Sequence, residues 1–596
     1  MVTALVTLTI CALIATPAGV ADAAGGTDTA SPTATGYGGA VATVDAEATR
    51  VGLEVLRRGG NAVDAAVASA AVLGVTEPFS AGVGGGGFFV HYDARTGRVS
   101  TLDGRETAPA TADERLFVNP ATGQPYAFDE ARISGLSAGT PGTLATWREA
   151  LRRWGSRSLA DTLRPAIGVA RDGFVVDPTF RGQVADNAAA FAQFTSTREL
   201  YLPGGQPPAV GTVFRNPDLA DTYATIARHG TDAFYTGPIA RDIVRTVQRP
   251  PVATNPGTPW AYPIRPGALS LRDLASYRVR TPAPTHSRYR DLDVYGMPAP
   301  SSGGVAVGEA LNILERSDLG DLDRAQALHR YLEASALAFA DRNRYVGDGT
   351  PRRVQRELLS DGFAAERACR IDPTRAADKP VPPGVPDGRY GGCVAGTGGA
   401  FESYENHTTN LTVADRWGNV VEYTLTIEAT GGNAMVVPGR GFLLNNELTD
   451  FNFVPSQGEA PDPNLPGPGK RPRSSMSPTI VLQDGRPFLA VGTPGGSTII
   501  TTVLQILIGR IDLGLSLSDA IAAPRATQRN TATVTAEPAF ISSPEGQALA
   551  ALGHRYTPTA EIGAATGIEF LGRGRWLAAA EPARRGGGAA AVVLPR

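Results

Sequence analysis

The segment AVDAAVASAAVLGV at residues 62–75 constrains the fold more than any other stretch of the chain. Its apolar side chains are small and recur on every face of a helix, so it packs closely on all sides and reads as a buried helix. Complete burial of a helix takes a large core, and the composition can supply one. Of 596 residues, 42% are hydrophobic and 19% charged, with 70 Gly and 46 Pro, which describes a large, turn-rich globular protein. Length gives a soft expectation of about four domains, held loosely because layered α/β enzymes exceed the average domain size. With 55 Lys+Arg against 58 Asp+Glu the formal net charge is −3, which gives no support to nucleic-acid binding as the main task. Lys379 and Lys470 are the only lysines, a pattern of genomic base composition.

Around that helix the pattern alternates. Gly82 to Gly87 leads into Phe88-Phe89-Val90-His91-Tyr92, where aromatic and β-branched residues predict a strand. Leu144, Trp147, Leu151 and Trp154 share one helical face, and Leu159, Leu163 and Ile167 continue at helical spacing. The Pro-rich stretch 249–266 reads as a surface loop, and 325–340 as another helix. Thr408 to Val413 and Asn419 to Ile427 are β-rich and flank the turn sequence Asp415-Arg416-Trp417-Gly418, so a hairpin is expected. No repeat of fixed period is present.

Residues 1 to 21 carry no charge and are apolar from Leu5 to Leu13, and Ala21-Asp22-Ala23 has the small residues of a cleavage site. This predicts an export signal over 1–23 and a secreted or extracytoplasmic product. No Lys or Arg precedes the apolar stretch, which leaves an uncleaved anchor or a misplaced start open. No later segment is long and apolar enough to span a bilayer. Cys11 lies in the signal, leaving Cys369 and Cys393, which either pair across a Pro/Gly-rich loop or are two unrelated thiols. Neither has a partner at metal-ligand spacing.

Two motifs are rejected on context. Gly135-Leu136-Ser137-Ala138-Gly139 fits a nucleophile elbow, but neither an apolar strand precedes it nor a helix directly follows, so it reads as a loop feeding the next helix. Gly82 to Gly87 fits a dinucleotide fingerprint, but a strand follows where a helix is required. The six histidines, His91, His229, His286, His329, His407 and His554, contain no HExxH and no pair four apart, so each reads as a surface or packing residue and no metal is expected.

What remains is concentrated between 405 and 497. The junction Glu405-Asn406-His407-Thr408-Thr409-Asn410 resembles the processing site of the γ-glutamyltranspeptidase family of N-terminal-nucleophile hydrolases. The resemblance extends over nearly the whole chain, in the family's order: GGNAVDAAVA at 59–68, the GGGGFF and DGRETAP stretches, PSSGG at 300–304, AFADRNRYVGD at 338–348, GFLLNNELTDF at 441–451, RPRSSMSPT at 471–479 and GTPGGS at 492–497.

The resemblance implies an α/β fold, a four-layer α/β/β/α sandwich, from a precursor cut into a large subunit, 24–407, and a small one, 408–596, that share one core. A Thr hydroxyl is a weak nucleophile, and its own α-amine can act as its base once the preceding peptide bond is cut. Thr408 is thus implied to attack the carbonyl of His407, cleave the chain, and then form an acyl-enzyme with a γ-glutamyl donor such as glutathione. Water or an acceptor amine resolves it, with no cofactor or metal. Thr426 on the paired strand would hydrogen-bond Thr408, and Gly495-Gly496 would offer N–H groups to the oxyanion. Arg105, with Ser474 and Ser475, would bind the donor's α-carboxylate, and Glu447 and Asp450 its α-ammonium.

Three features depart from the family pattern. Glu428 stands where an Asn is common, placing a second anion near the substrate. The segment between Asp450 and Ser474 has no Tyr, so an aromatic lid residue has no evident counterpart and an open or differently gated site is expected. The tail GGGAAAVVLPR has no reading. The alternatives are a related acylase for glutaryl or cephalosporin-type amides, a depolymerase of γ-linked polyglutamate, and an unprocessed binding protein.

Overall fold

The computed structural model describes residues 31–393 and 408–595. The expected signal with Cys11, and the residues Glu405 to His407, lie outside the described residues. The central feature is an antiparallel sheet of twelve strands: β1 (Thr33–Thr43), β2 (Gly86–Asp93), β3 (Arg98–Asp103), β4 (Thr285–Tyr289), β5 (Leu292–Gly296), β6 (Thr408–Asp415), β7 (Val420–Thr426), β8 (Thr479–Gln483), β9 (Arg486–Gly492), β10 (Thr566–Phe570), β11 (Arg575–Ala580) and β12 (Ala589–Pro595). Their order is β3-β2-β7-β6-β1-β11-β10-β9-β8-β5-β4, with β12 also on β1. Strands from before residue 408 and strands that start at or after it are interleaved in blocks in this order, so both stretches of chain build one core.

The sheet doubles over at β1. Residues 33–37 of this strand pair with β11 and residues 39–43 with β6, and the register shifts between Tyr37 and Ala40. Gly38 and Gly39, at φ 82° and 124°, supply the left-handed backbone the bend requires. The fold brings β9 and β10 over β6 and β7, giving two stacked β layers joined by one strand. Helices α1 (Ala46–Arg57), α2 (Ala62–Thr76), α3 (Thr143–Trp154) and α4 (Leu159–Asp172) belong to the core on the outer face of the first layer. Helices α5 (Gly303–Leu314), α6 (Arg324–Tyr345), α7 (Ile499–Ile511) and α8 (Leu517–Ala522) belong to the second core. The four-layer α/β expectation holds.

Strand alternation sorts the side chains. Leu411, Val413, Val421, Tyr423 and Leu425 face the first helical layer, while Asn410, Thr412, Glu422 and Thr424 point the other way, between the sheets. There Asn410 donates to Glu422 at 2.6 Å and to Thr566 at 2.9 Å, and accepts from Thr424 at 2.6 Å, a buried network that satisfies polar groups a dry interior penalises.

All of α2 is buried, as its composition requires. It starts with a capping box in which Asn61 accepts from the Asp64 N–H and Asp64 accepts from the Asn61 N–H. The Ala62 N–H donates to Asp415 in the β6–β7 turn at 3.0 Å, so the hairpin carrying Thr408 is tied to the N-terminus of the most buried helix. Within the GLSAG sequence the chain makes a short 3-10 turn over Gly135–Ser137, and buried Ser137 donates to the Arg132 carbonyl at 2.7 Å, as a loop residue would. Residues 249–266 form an irregular loop without helix or strand.

Cys369 and Cys393 are joined as a disulfide with their Cα atoms 5.8 Å apart, closing a loop over 24 positions. The loop is pinned by Lys379, which donates to Glu333 at 2.6 Å, and by His329, whose Nε2 lies 2.7 Å from the Asp372 carbonyl. His329, Glu333 and His554 bring ligand-type atoms within 4.8 Å of one another. Lys379 neutralises Glu333, and His329 and His554 bond each other at 2.8 Å, so the trio is satisfied internally.

Candidate active site

A cavity of about 420 Å³ opens at the end of the β6–β7 hairpin. Its wall brings together Arg105, Thr408, Thr426, Glu428, Glu447, Asp450, Ser474, Ser475 and Gly496, residues spread over almost four hundred positions of sequence. Gly495 directly precedes this wall. Cys369 and Cys393 do not line it.

The sheet places the two threonines. Thr408 and Thr426 are paired directly across β6 and β7, with Gly86 opposite Thr426 on the other side. A Cβ at Gly85 would overlap the Thr426 carbonyl oxygen, so only glycine lets that loop lie against the strand end. The Thr426 hydroxyl accepts from the Glu428 N–H at 2.8 Å. The Thr408 carbonyl accepts from Arg585 Nη1 at 2.6 Å, and Nη2 of the same guanidinium donates to Ser80 at 2.8 Å and to Glu77 at 3.0 Å. Burial raises the Glu77 carboxyl to about 7, with Arg585 opposing that rise.

Gly495 and Gly496 take φ values of 133° and 56°, a conformation that favours glycine, and lead into α7. Gly496, Ser497 and Ile499 at the start of that helix line the cavity, so N–H groups and the positive end of the helix lie at its edge.

Sequence reasoning set Arg105 apart from Glu447 and Asp450, as opposite poles for a zwitterion. The structure joins them: the Arg105 Nη1 donates to Glu447 and Nη2 to Asp450, while Nε donates to the Pro472 carbonyl at 3.2 Å. Arg105 is 1% exposed, and a guanidinium in such a place demands carboxylate partners. Its neighbour Glu106 is also buried, with neither carboxylate oxygen hydrogen-bonded among the described residues. Burial raises this carboxyl to about 8 against the pull of Arg105.

Glu106 therefore links stability to pH. An acid whose folded pKa lies near 8, above an unfolded value near 4.5, takes up a proton on folding. Its contribution is complete below about 4.5 and is lost as pH rises through about 8. Thermal melts of Glu106→Gln across pH 5 to 9 should show a shallower decline than the unaltered protein, since glutamine has no proton to lose. Parallel curves would remove Glu106 from this linkage.

Glu428, expected as a second anion near the substrate, is 1% exposed, sits at φ 79°, and is bonded to Asn446. Burial, followed by the charge of Asp450, raises its carboxyl well above the usual range. The segment after Asp450 is also better furnished than its lack of Tyr suggested. Phe451 and Phe453 line the cavity, Phe453 stacks on Phe117 at 4.3 Å, and Tyr126 and Phe128 complete an aromatic wall. Asp462 holds the segment's fold, accepting from Asn452 at 2.7 Å and Ser456 at 2.8 Å.

Several residues of this site escaped the sequence reading. Arg342 on α6 donates from Nη2 to Ser475 at 2.8 Å and from Nε to Ser302 at 2.9 Å. Ser302 in turn donates to the Ser474 carbonyl at 2.7 Å. Arg473 lines the cavity, and Arg585 reaches Thr408 from just before the unread tail. Arg342 and Ser302 lie inside the blocks AFADRNRYVGD and PSSGG, whose resemblance was the one available signal.

Comparison with known proteins matches this arrangement to one family. A family model described as Gamma-glutamyltranspeptidase matches residues 48–592. The chain is 37% identical over 495 residues to a glutathione hydrolase proenzyme of Bacillus subtilis (strain 168), covering 82% of this chain and 80% of that relative. It is 34% identical to the acylase ACY 1 proenzyme of Pseudomonas sp. (strain SE83), covering 94% and 95%. Among solved structures, the cephalosporin acylase from Bacillus halodurans superposes with a TM-score of 0.78 at 27% identity, covering 98% of this chain and 99% of that one. The doubled sheet, the cavity at its Thr408 end and a match along nearly the whole described chain lead to one conclusion: this protein belongs to the γ-glutamyltranspeptidase family, whose members are hydrolases and transferases.

Proposed function

We propose that the chain is the exported precursor of a γ-glutamyl hydrolase and transferase that cleaves itself before Thr408. The observation that carries this reading is the convergence of Thr408, Thr426, Gly496, the Arg105–Glu447–Asp450 cluster and the Ser474-Ser475 pair on one cavity. The Thr408 hydroxyl attacks the carbonyl carbon of His407, the acyl group passes from nitrogen to oxygen, and water hydrolyses the ester, leaving a free α-amine on Thr408. That amine then takes the hydroxyl proton as the oxygen attacks the γ-carbonyl of glutathione or a related donor. The oxyanion is received by the Gly495 and Gly496 N–H groups, and the proton passes to the departing amine. Water or the amine of an amino acid or peptide acceptor resolves the acyl-enzyme. Proenzyme relatives support a precursor that yields two subunits, here 24–407 and 408–596. Export rests on the residues of 1–23, and among the described residues no helix is long and apolar enough to cross a membrane.

In this reading Ser474, Ser475 and Arg105 hold the donor's α-carboxylate, and Glu447 and Asp450 its α-ammonium. Glu428 offers the ammonium a further acceptor oxygen. A second reading, an acylase for glutaryl or cephalosporin-type amides, is favoured by the acylase relatives alone. A donor panel separates them. A γ-glutamyl anilide should exceed the matching glutaryl anilide in kcat/KM by at least about 100-fold, because a donor without the ammonium forgoes its bonds to Glu447, Asp450 and Glu428. Equal rates, or preference for the glutaryl donor, would move the assignment to the acylase.

A further inference from the structure

The end of the doubled sheet opposite the cavity is basic. Register places the β2–β3, β6–β7, β8–β9 and β10–β11 turns together there, around the bend in β1: Tyr92 lies opposite Val420, Gly39 opposite Asp415, Tyr37 opposite Arg575, and Phe570 opposite Trp576. The Tyr92 hydroxyl donates to the Gly485 carbonyl at 2.9 Å, so the two layers meet at this end. The four turns expose six arginines, Arg95, Arg98, Arg416, Arg486, Arg573 and Arg575. Against them stand Asp93, paired with Arg95 at 3.7 Å, and Asp484. The neighbouring β4–β5 turn adds Asp291, while its Arg290 is turned onto Asp512 at 3.0 Å. Asp415 is buried below, accepting from the Ala62, Trp417 and Asn419 N–H groups. On a chain whose net charge is −3, this is a segregation of charge. Two large apolar side chains stand among the arginines. Trp417 is 50% exposed, with the Arg416 guanidinium 4.3 Å from its ring centre, and Leu594, opposite Tyr37 beside the bend, is 60% exposed.

We propose that this end is a docking surface for an anionic lipid bilayer, with the arginines against the headgroup phosphates and Trp417 and Leu594 within the headgroup layer. Charge alone would suit any polyanion, and the apolar pair decides between them. A dissolved polyanion would pair the guanidiniums and leave Trp417 and Leu594 in water, whereas a bilayer interface takes up an amphipathic ring and an aliphatic side chain beside the cations. Strand-end turns reach a plane without any change in the sheet. The protein lies on the surface and inserts no helix, since among the described residues none is long and apolar enough to cross a membrane. Strand β6 runs about 25 Å from Thr408 to this end, so the hairpin that carries Thr408 at one tip carries Trp417 at the other. Docked this way, the cavity opens away from the bilayer toward dissolved donors. The inference goes beyond the reading of the active site and does not depend on it.

The test is co-sedimentation with phosphatidylcholine vesicles that contain, or lack, about 30% phosphatidylglycerol. The protein is used without residues 1–23, so that their apolar stretch cannot bind on its own account. Partition onto the anionic vesicles should exceed that onto the neutral ones by at least about tenfold at low salt, and the excess should vanish at about 0.5 M salt. Replacing Arg416 and Arg573 together by Gln should weaken it about 25-fold, with the thermal melt unchanged because both side chains are exposed. Trp417→Ser should weaken it about fivefold. Trp417→Phe should keep most of the binding but lose the shift of tryptophan emission to shorter wavelength that the unaltered protein shows on the vesicles. No binding at low salt, equal binding to neutral vesicles, or indifference to the paired Gln substitutions would overturn the proposal. So would equally tight binding of soluble polyphosphate combined with no effect of Trp417→Ser, which would make the partner a dissolved polyanion. Should the paired variant fail to fold, the salt series and the emission shift of the unaltered protein carry the same decision.

Discussion

Thr408→Ala should leave the protein as one uncut chain and lower turnover of any γ-glutamyl donor by at least about 10⁴-fold, a loss typical when an enzyme's nucleophile is removed. Alanine takes away the attacking oxygen and, because the bond before it then persists, the α-amine that serves as base. Both losses follow from one atom. The substitution disturbs the fold little, since the strand pairing of residue 408 with Thr426 uses backbone groups. Intact mass under denaturing conditions and a donor assay check the two outcomes together. Thr408→Ser should still cleave and turn over, because it keeps an oxygen at the same position. Two polypeptides from the alanine variant, or full activity, would overturn the assignment.

Arg105→Ala carries the second large effect, and it acts on stability as well as binding. The guanidinium is bonded to Glu447 and Asp450, and Glu447 is fully buried. Removing the cation takes the guanidinium from the fully buried Glu447, a loss of about 3–5 kcal/mol. Donor affinity falls with it, because the acids repel one another and their segment, the short turn Glu447–Asp450, shifts away from the cavity. Thermal melts and kcat/KM measure the two parts. In a double-mutant cycle, Glu447→Gln added to Arg105→Ala should cost much less than it does alone, since the partner has already gone. Strict additivity would mean that the pair does not act as a unit.

Local order was legible in the chain before any coordinates. The all-apolar pattern of 62–75 allows one outcome, burial on every side. Two β-rich runs around Asp415-Arg416-Trp417-Gly418 pair because they are neighbours in sequence, and that register alone sets Thr408 across from Thr426. The site residues were likewise named from motifs that are short and contiguous. Each of these properties depends on residues within about twenty positions, so sequence determines it.

Tertiary structure decided the charges and the partners. Whether Arg105 stands free or is bonded depends on Glu447, 342 positions away. The raised pKa of Glu428 follows from a burial that its own segment does not reveal. Arg585 reaches the Thr408 carbonyl across 177 positions, and Arg342 finds Ser475 across 133. Solvation and electrostatics vary with distance in space, and the doubled sheet is what brings these segments together. The same residue types on a different packing would carry different charges and different roles.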